Sequence, residues 1–380
     1  MDFRLDSDQE LIRQTAKEFA EKEVEPLAAE IDRTHAFSWD LFRRMAELGF
    51  TGAGFPEEYG GSGGDDISKL LIVEEIAKCC ASTAATLCIH QVGPYGIYLF
   101  GSEEQKKTYL PPVLSEGKVA AFALTEPTAG SDAGAVKTRA VLDGDHYVLN
   151  GSKCFITGGA LAQTVLVFAL TEPDKGLRGM SAFIVEKGTP GFSPGKTENK
   201  LGLCGSETAE LFFNDCRVPR ENLVGQPGKG FAMAMAILDS ARLGVGAQSL
   251  GISQRALAES VKYLNERVQF GRPIGAQQGL SWYAAEMKVR IEALRGLVYK
   301  AAWAKGAGEQ YTLDAAIAKY YGAETACFCA DLALQIHGGY GYMKDLILER
   351  LFRDSRLLKI YEGTSEIHKV VIARSVIGLK

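Results

Sequence analysis

Hydrophobic patterning divides this chain into three parts, with a β-rich segment between two helical ones. Residues 7–115 and 229–378 carry apolar residues at helical spacing, whereas residues 118–225 carry short runs of Val, Ile, Phe and Thr separated by turn residues. Strands do not alternate with helices and no Gly-x-Gly-x-x-Gly occurs, which disfavours a Rossmann fold. We predict an α+β multidomain protein with an N-terminal helical domain (1–117), a middle β-barrel or β-sandwich domain (118–228) and a C-terminal four-helix bundle (229–380).

The N-terminal part begins with Ser7-Asp8-Gln9-Glu10, which predicts a helix-capping box. Further helices are predicted over 39–48, 67–78 and 103–115. Residues 79–102 contain no Asp, Glu, Lys or Arg, so they are long and apolar enough to suggest a membrane span. They also contain His90, Gln91 and Pro94, and we interpret them as a buried helix and a turn beside an internal pocket. Gly60 to Gly64 precede two aspartates that would repel a phosphate, so a surface turn is favoured there.

The middle part predicts short strands, and the last part predicts long helices. Asp143-Gly144-Asp145 and Asn150-Gly151 are typical of hairpin turns. The strands are predicted over 119–124, 147–149, 164–170, 181–185 and 210–213, and the helices over 229–267, 276–306, 312–337 and 364–378.

Composition excludes several classes of function. The chain has 380 residues, a net charge of −5 and a pI of about 5.7, without a Lys/Arg cluster, which argues against nucleic acid or an anionic membrane as partner. The acidic N-terminus lacks an apolar signal region, so we expect a cytoplasmic, bacterial-type protein without a targeting segment. The eight cysteines and five histidines show no zinc-ligand spacing, and buried free thiols with no metal site are expected.

The segment Ile-Tyr-Glu-Gly-Thr-Ser-Glu-Ile at 360–367 carries the strongest candidate for chemistry. Glu362 follows an apolar run and precedes a glycine, a setting in which desolvation raises the pKa of a carboxyl group. Such a carboxylate suits a general base that removes a weakly acidic carbon-bound proton. The alternative is a helix N-cap followed by a surface glutamate.

Four further segments are candidate binding loops. Residues 121–132 and 150–159 each run from a strand into a polar turn that could hydrogen-bond a flat polar ring, although any strand followed by a turn has this composition. Arg267 ends a helix and could bind a pyrophosphate, or be a surface charge at the negative end of the helix dipole. Residues 335–341 carry three glycines, more than a plain C-cap requires.

Together these segments resemble the acyl-CoA dehydrogenase family over essentially the whole chain, and in overall character its short-chain, butyryl-CoA branch. The resemblance rests on Leu-Thr-Glu-Pro-x-Ala-Gly-Ser-Asp at 124–132, Arg-x-Gln-Phe-Gly-Arg-Pro-Ile at 267–274, Gln-x-x-Gly-Gly-x-Gly at 335–341 and Ile-Tyr-Glu-Gly-Thr-Ser-Glu at 360–366, in the family's order. It implies FAD as cofactor and Glu362 as the catalytic base. Some branches carry the base immediately before the arginine of the Leu-Asp-x-x-Arg motif, but here that residue is Ala241.

The resemblance also implies the binding residues. Flavin contacts are expected from Phe122, Ala123, Leu124, Thr125, Gly130, Ser131, Phe155, Ile156, Thr157, Thr364 and Glu366. The adenosine pyrophosphate half, bound from a neighbouring subunit, is expected to contact Arg267, Gln269, Phe270, Gln278, Gln335, Ile336, Gly338 and Gly339. The CoA thioester is expected to contact Ser131, Leu238, Asp239, Arg242, Tyr361 and Gly363.

The implied reaction is α,β-dehydrogenation of an acyl-CoA thioester to a trans-2-enoyl-CoA. Glu362 takes the α-proton, flavin N5 takes the β-hydride, and electrons pass to an electron-transferring flavoprotein. A homotetramer and a short-chain, branched or cyclic acyl group are expected. The sequence departs from common family patterns at Phe155, Gly158, Gln277 and His368, which bears on flavin potential and electron transfer. An enoyl-CoA reductase running the reverse reaction, an acyl-CoA oxidase and a non-enzymatic helical scaffold are the alternatives.

Overall fold

The computed structural model describes residues 4–378, so part of the acidic N-terminus and the outer ends of the first and last predicted domains lie outside it. The N-terminal part is helical as predicted, and a π-helical segment over Ala20–Val24 joins its first two helices. Its helices are α1 (Ser7–Phe19), α2 (Glu25–Thr34), α3 (Trp39–Glu47), α4 (Asp66–Cys79), α5 (Ala81–His90), α6 (Val92–Phe100) and α7 (Glu103–Leu114).

The capping box of α1 lies one residue before the predicted one. Asp6 is extended and its Oδ1 accepts hydrogen bonds from the backbone N–H groups of Asp8 (3.0 Å) and Gln9 (2.8 Å). The Gln9 side chain accepts in return from the backbone N–H of Asp6 at 3.1 Å. The prediction that the box starts at Ser7 is therefore wrong, because Ser7 already lies in the first helical turn.

The uncharged stretch 79–102 forms the buried helices α5 and α6, separated from α4 by the extended residue Cys80. Every residue of α5 is buried. The eight cysteines are free, and all except Cys327 are buried, as expected. The Gly60 to Gly64 segment is a turn with Ser62 and Gly64 exposed.

The middle part is an eight-stranded sheet ordered β6-β7-β3-β2-β4-β5-β8, with β1 pairing in parallel to β4. Asp143 to Asp145 form the predicted hairpin turn between β2 and β3, but the turn predicted at Asn150-Gly151 is wrong. Those residues lie inside β3, where the register with β7 shifts between Leu149 and Gly151, because a bulge absorbs the glycine. The strands are β1 (Ala120–Ala123), β2 (Arg139–Asp143), β3 (His146–Thr157), β4 (Thr164–Leu170), β5 (Met180–Glu186), β6 (Phe192–Thr197), β7 (Thr208–Pro219) and β8 (Leu223–Val224).

The C-terminal part is a helical bundle in which α10 packs against α8, α9, α11 and α12. The predicted long helices are present within two residues at each end, and α11 was not predicted. The elements are α8 (Gly230–Glu266), β9 (Val268–Gln269), β10 (Arg272–Pro273), α9 (Gln278–Gly306), α10 (Thr312–His337), α11 (Leu348–Leu357) and α12 (Ser365–Ile377). Only α8 is long and apolar enough to cross a membrane, among residues 4–378, and 67% of its most apolar window is buried inside the protein, as in a core helix.

The three parts meet around α5, α6 and α8. Helix α8 packs on α4, while α5 and α6 pack on β1. Gly93 allows α6 to approach the sheet, since a Cβ at that position would lie 2.6 Å from the Ala121 carbonyl oxygen. The junction therefore places the C-terminal bundle, the end of β1 and the uncharged helices beside one another.

Candidate active site

Glu362 lies in the turn between α11 and α12, with a left-handed backbone conformation (φ 54°). Gly363 follows with φ 94°, which a residue with a Cβ adopts only with strain. Thr364 caps α12, as its hydroxyl accepts a hydrogen bond from the Ile367 N–H at 3.2 Å. The helix cap thus fixes the turn that directs the Glu362 side chain.

The Glu362 carboxyl group is poised for proton transfer. Its Oε2 is buried and has no hydrogen-bond partner within residues 4–378. Burial raises the pKa of Glu362, while the nearby charges of Lys319 and Arg242 act in the opposite direction. A carboxylate in these surroundings is a stronger base than one in water, which is the property expected of a general base.

Lys319, on α10, is the closest structural support of this turn. It is fully buried, and its Nζ donates a hydrogen bond to the carbonyl oxygen of Gly363. Burial lowers the pKa of Lys319 to about 7, and Glu362 opposes that shift. Lys319 therefore fixes the backbone next to Glu362, and its positive charge favours the ionised form of the Glu362 carboxyl group.

Arg242 contributes a second buried cation from α8. It pairs with Asp239 at 2.5 Å, and the other Asp239 oxygen accepts from Thr312 Oγ1 at 2.6 Å. Arg242 Nε is buried without a hydrogen-bond partner in the described chain. An unsatisfied buried donor of this kind indicates a place for a ligand acceptor.

Tyr361 and His368 complete the surroundings of Glu362. The Tyr361 hydroxyl donates to Gln248 Oε1, and Gln248 Nε2 donates to the Ala81 carbonyl at 2.9 Å. His368 is fully buried, and its ring lies against the backbone of Glu362 and Gly363. Burial lowers the pKa of His368 to about 3, so the ring is neutral.

The two predicted flavin loops of the middle part lie side by side. The Cys154 N–H donates to the Thr125 carbonyl at 3.0 Å, which joins β3 to the turn after β1. The buried Lys153 Nζ contacts Glu126 Oε1 at 2.8 Å and the Leu124 carbonyl at 2.9 Å. These bonds join the two segments that carry the predicted flavin residues Phe122, Ala123, Leu124, Thr125, Gly130, Ser131, Phe155, Ile156 and Thr157.

The predicted residues for the adenosine half form a second, exposed group. The Arg267 guanidinium lies 5.8 Å from the centre of the Tyr340 ring, and Tyr263 stacks on His337. These contacts join the α8–α9 connection to the end of α10, where Gln269, Phe270, Gln278, Gln335, Gly338 and Gly339 are exposed and Ile336 is buried. Within residues 4–378, no hydrogen bond or ring contact links this group to the flavin loops.

Backbone conformation and open space fit FAD at these positions. Of the six non-glycine residues with positive φ in the described chain, three are Phe155, Phe270 and Glu362, and such strain concentrates at functional sites. Phe155 and Phe270 expose 65% and 91% of their surface, so both rings are free to stack on a planar ligand. A Cβ at Gly130, Gly338 or Gly339 would meet no atom within 4 Å, which leaves room for a group to approach the backbone.

Four residues of this site were missed by sequence reasoning. Glu126 and Lys153 fasten the flavin loops, Lys319 supports Glu362, and Gln248 holds Tyr361. Periodicity placed Lys319 on a helix and the turn signals placed Lys153 in a candidate binding loop, but no pattern showed that their ammonium groups are buried. Within residues 4–378, no three His, Cys, Asp or Glu side chains form a group that could hold a metal ion.

Comparisons with known proteins show the family of this chain. Family models match residues 6–117 (acyl-CoA dehydrogenase, N-terminal domain), 121–216 (middle domain) and 228–377 (C-terminal domain). The chain is 57% identical to the acryloyl-CoA reductase (NADH) of Anaerotignum propionicum, over 99% of this chain and 96% of the relative.

Two solved structures are similar over 99% of this chain and 100% of their own. Butyryl-CoA dehydrogenase from Megasphaera elsdenii is 45% identical with a TM-score of 0.97. A structure described as the electron transferring flavoprotein of Acidaminococcus fermentans, concerned with flavin-based electron bifurcation, is 49% identical with a TM-score of 0.98. This chain belongs to the acyl-CoA dehydrogenase family, whose members are FAD-containing oxidoreductases.

Proposed function

We propose that Glu362 moves the proton at the α-carbon of a short acyl-CoA thioester and so interconverts it with the trans-2-enoyl-CoA. The observation that carries this is the buried, unpartnered Oε2 of Glu362, with a raised pKa. The alternative base position holds Ala241, so no second carboxylate competes there. FAD, when bound, supplies the acceptor for the β-hydride.

The chain's own residues divide the remaining tasks. The thioester would be held by Ser131, Leu238, Asp239, Arg242, Tyr361 and Gly363, with Arg242 Nε free to donate a hydrogen bond. The backbone N–H of Glu362 would bind the thioester carbonyl and stabilise enolate-like charge. The two loops that end β1 and β3, with Thr364 and Glu366, would hold the flavin. The exposed residues of the α8–α9 connection and of the end of α10, here called the group around Phe270, would hold the adenosine half from a second subunit.

The reverse direction is a second candidate. By microscopic reversibility, Glu362 would return a proton to the α-carbon during reduction of an enoyl-CoA. The 57% identity to an acryloyl-CoA reductase favours this direction, and the similarity to a structure described as an electron transferring flavoprotein supports such a protein as redox partner.

An acyl-CoA oxidase would release hydrogen peroxide at the turnover rate, which a peroxide assay detects.

The proposal extends to the oligomeric state, the cellular location, the domain boundaries and the length of the acyl group. We infer a cytoplasmic homo-oligomer, a tetramer built so that each adenosine site is completed by a neighbour. We place the domain boundaries at 117/118 and 228/229, and we assign α8 to the core rather than to a membrane. We infer a short acyl group, whether straight, branched or cyclic, because the cavity lined by Cys88, Ala241 and Gly244 is small.

Replacement of the base tests the central assignment. Glu362→Gln should retain FAD, seen as the yellow flavin spectrum, and lose about 10²- to 10⁴-fold in the rate of flavin bleaching by butyryl-CoA under anaerobic conditions. The exposed Glu309 offers a matched control, since Glu309→Gln removes a surface carboxylate only. Near-normal bleaching by Glu362→Gln would exclude Glu362 as the base, and a colourless wild-type protein that takes up no FAD would favour the scaffold alternative.

A further inference from the structure

A lysine with no assigned role faces a small cavity next to the proposed base. The cavity is lined by Lys69, Cys88, Tyr95, Ser240, Ala241 and Gly244, among others. Cys88 lies close enough to feel the charges of both Lys69 and Glu362. Cys88 also packs directly on α8, because a Cβ at Gly244 would lie 2.2 Å from its sulfur. The cavity therefore lies among α4, α5, α6 and α8, and Glu362 is close enough to act on Cys88 in its wall.

The Lys69 ammonium group has no charged or hydrogen-bonding partner. Within residues 4–378 it makes no ion pair or hydrogen bond, and its Nζ lies over the rings of Phe55 (6.0 Å) and Tyr95 (5.9 Å). Lys305, its neighbour, differs because it is paired with Asp66 at 2.5 Å and with Ser240 at 2.9 Å. The Lys69 side chain is only partly exposed, and it lines the cavity without an ion pair to any carboxylate of residues 4–378.

The charges around Lys69 come from three helices. Burial and the positive charge of Lys305 on α9 lower the pKa of Lys69 to about 8, and Asp66 and Cys88, on α4 and α5, act in the opposite direction. Asp66 is already engaged by Lys305. A ligand anion would thus supply the paired negative charge that residues 4–378 do not offer to Lys69.

We propose that Lys69 binds a carboxylate at the far end of a short acyl group, so that the cavity selects CoA monothioesters of short dicarboxylic acids. The inference rests on the proposed function, since a CoA thioester must place its acyl chain beside Glu362. An alkyl end would leave this partly buried ammonium without a hydrogen-bond acceptor, whereas a carboxylate accepts its hydrogen bonds and balances its charge. Because the cavity is small, the acyl chain should be short, and thioesters of four and five carbons test it.

Binding to an enzyme that cannot turn over tests this selectivity directly. Calorimetry with the Glu362→Gln holoenzyme would compare two pairs matched in carbon number, succinyl-CoA with butyryl-CoA and glutaryl-CoA with pentanoyl-CoA. The carboxylate member of at least one pair should bind on the order of 10- to 100-fold more tightly. Lys69→Met in the same background should abolish that preference and leave the Kd of the alkyl thioesters within about threefold.

Lys106 provides the matched control. Its ammonium also lies over aromatic rings, 5.7 Å from Tyr59 and 5.8 Å from Tyr98, but it is paired with Glu103 at 2.9 Å. Lys106→Met should leave both ratios unchanged. Lys69→Gln, which keeps a polar side chain, should lose the preference as well, and it serves if Lys69→Met does not fold.

The outcomes separate the two proposals. Equal or tighter binding of the alkyl thioesters by the parent holoenzyme, in both pairs, would overturn the role of Lys69, and so would a preference that survives Lys69→Met. If none of the four thioesters binds, the proposed function itself fails. The ratio of the two Kd values in each pair is measured on the Glu362→Gln holoenzyme with Lys69 intact. The inference can therefore be refuted even if every Lys69 variant is unstable.

Discussion

At Glu362, desolvation and two neighbouring cations act on the carboxyl group in opposite directions, and desolvation prevails. Dehydrogenation requires the ionised carboxylate, whereas reduction requires the protonated acid. The rate of dehydrogenation should therefore rise with pH through the raised pKa of Glu362, and the rate of enoyl reduction should fall over the same range. Single-turnover flavin bleaching and reoxidation from acidic to neutral pH measure both limbs, and parallel profiles would contradict the assignment.

The Lys319 side chain offers a further residue-scale prediction. Its positive charge lies buried near Glu362 and favours the ionised carboxylate. Lys319→Met removes that charge, so the pKa of Glu362 should rise further and the dehydrogenation profile should move to higher pH.

A purely structural role for Lys319 would lower the rate without moving the profile. Lys319→Arg, which keeps the charge, should restore the position of the profile at least in part. Lys300→Met is the surface control, because Lys300 lies on the exposed side of α9 and pairs with Asp314 at 2.9 Å.

At the scale of elements, a buried ion pair fastens the turn after β1 to β3. Lys153 and Glu126 are both buried, and Glu126 also accepts the backbone N–H groups of Lys137 (2.6 Å) and Thr138 (3.0 Å). Lys153→Met leaves a buried carboxylate without its cation, so the free energy of unfolding should fall by about 3–5 kcal/mol. Denaturant unfolding measures the loss, and Lys175→Met, at an exposed pair, should cost little.

Retention of FAD by the Lys153→Met protein gives an independent reading. If the pair positions the two loops, the variant should release FAD more readily at temperatures where it is still folded. Unchanged stability together with unchanged FAD affinity would show that Lys153 has neither role.

Periodicity predicted elements well where one face of a long helix is apolar. Helices α8, α9 and α10 begin and end within two residues of their predicted bounds. Local turn signals were less reliable, because tertiary pairing overrides them: Asn150-Gly151 lies within β3, since β7 pairs with both sides of the bulge. Helix α11 was not predicted because its arginines and acidic residues outnumber its apolar residues. Its buried face consists only of Leu348, Leu351 and two polar residues.

The candidate site was only partly predictable for a different reason. Glu362 was visible because its local sequence is unusual, and family resemblance supplied the loops. Lys69, Lys153 and Lys319 look like ordinary charges on helices or strands, and their importance depends on burial by segments distant in sequence. Burial of this kind arises only from the assembled fold.

At the scale of the whole molecule, the group around Phe270 exposes aromatic surface that a monomer would not need. Phe270 and Tyr340 expose 91% and 60% of their surface, and the nearby chain adds Trp282 on α9 (58%) and Tyr342 after α10 (82%). Exposed apolar patches of this kind mark interfaces. Light scattering should find an oligomer, and Phe270→Asp should shift the protein towards smaller species with weaker FAD binding.

A surface control distinguishes this effect from general loss of solubility. Val376→Asp changes an exposed residue near the end of α12, outside the group around Phe270, and should leave both oligomeric state and FAD content unchanged. A parent protein that is monomeric and fully loaded with FAD would contradict the proposal that subunits share the cofactor.

The unpaired polar atoms around Glu362 have a consequence for how long the protein survives. Glu362 Oε2 and Arg242 Nε are buried without hydrogen bonds in residues 4–378, so each destabilises the folded protein when no ligand is bound. A thioester present at a hundredfold excess over its Kd would stabilise the folded state by about 2.7 kcal/mol. Because degradation in cells follows the unfolded fraction, the half-life of this protein would lengthen when its thioester is plentiful and shorten when the supply ends.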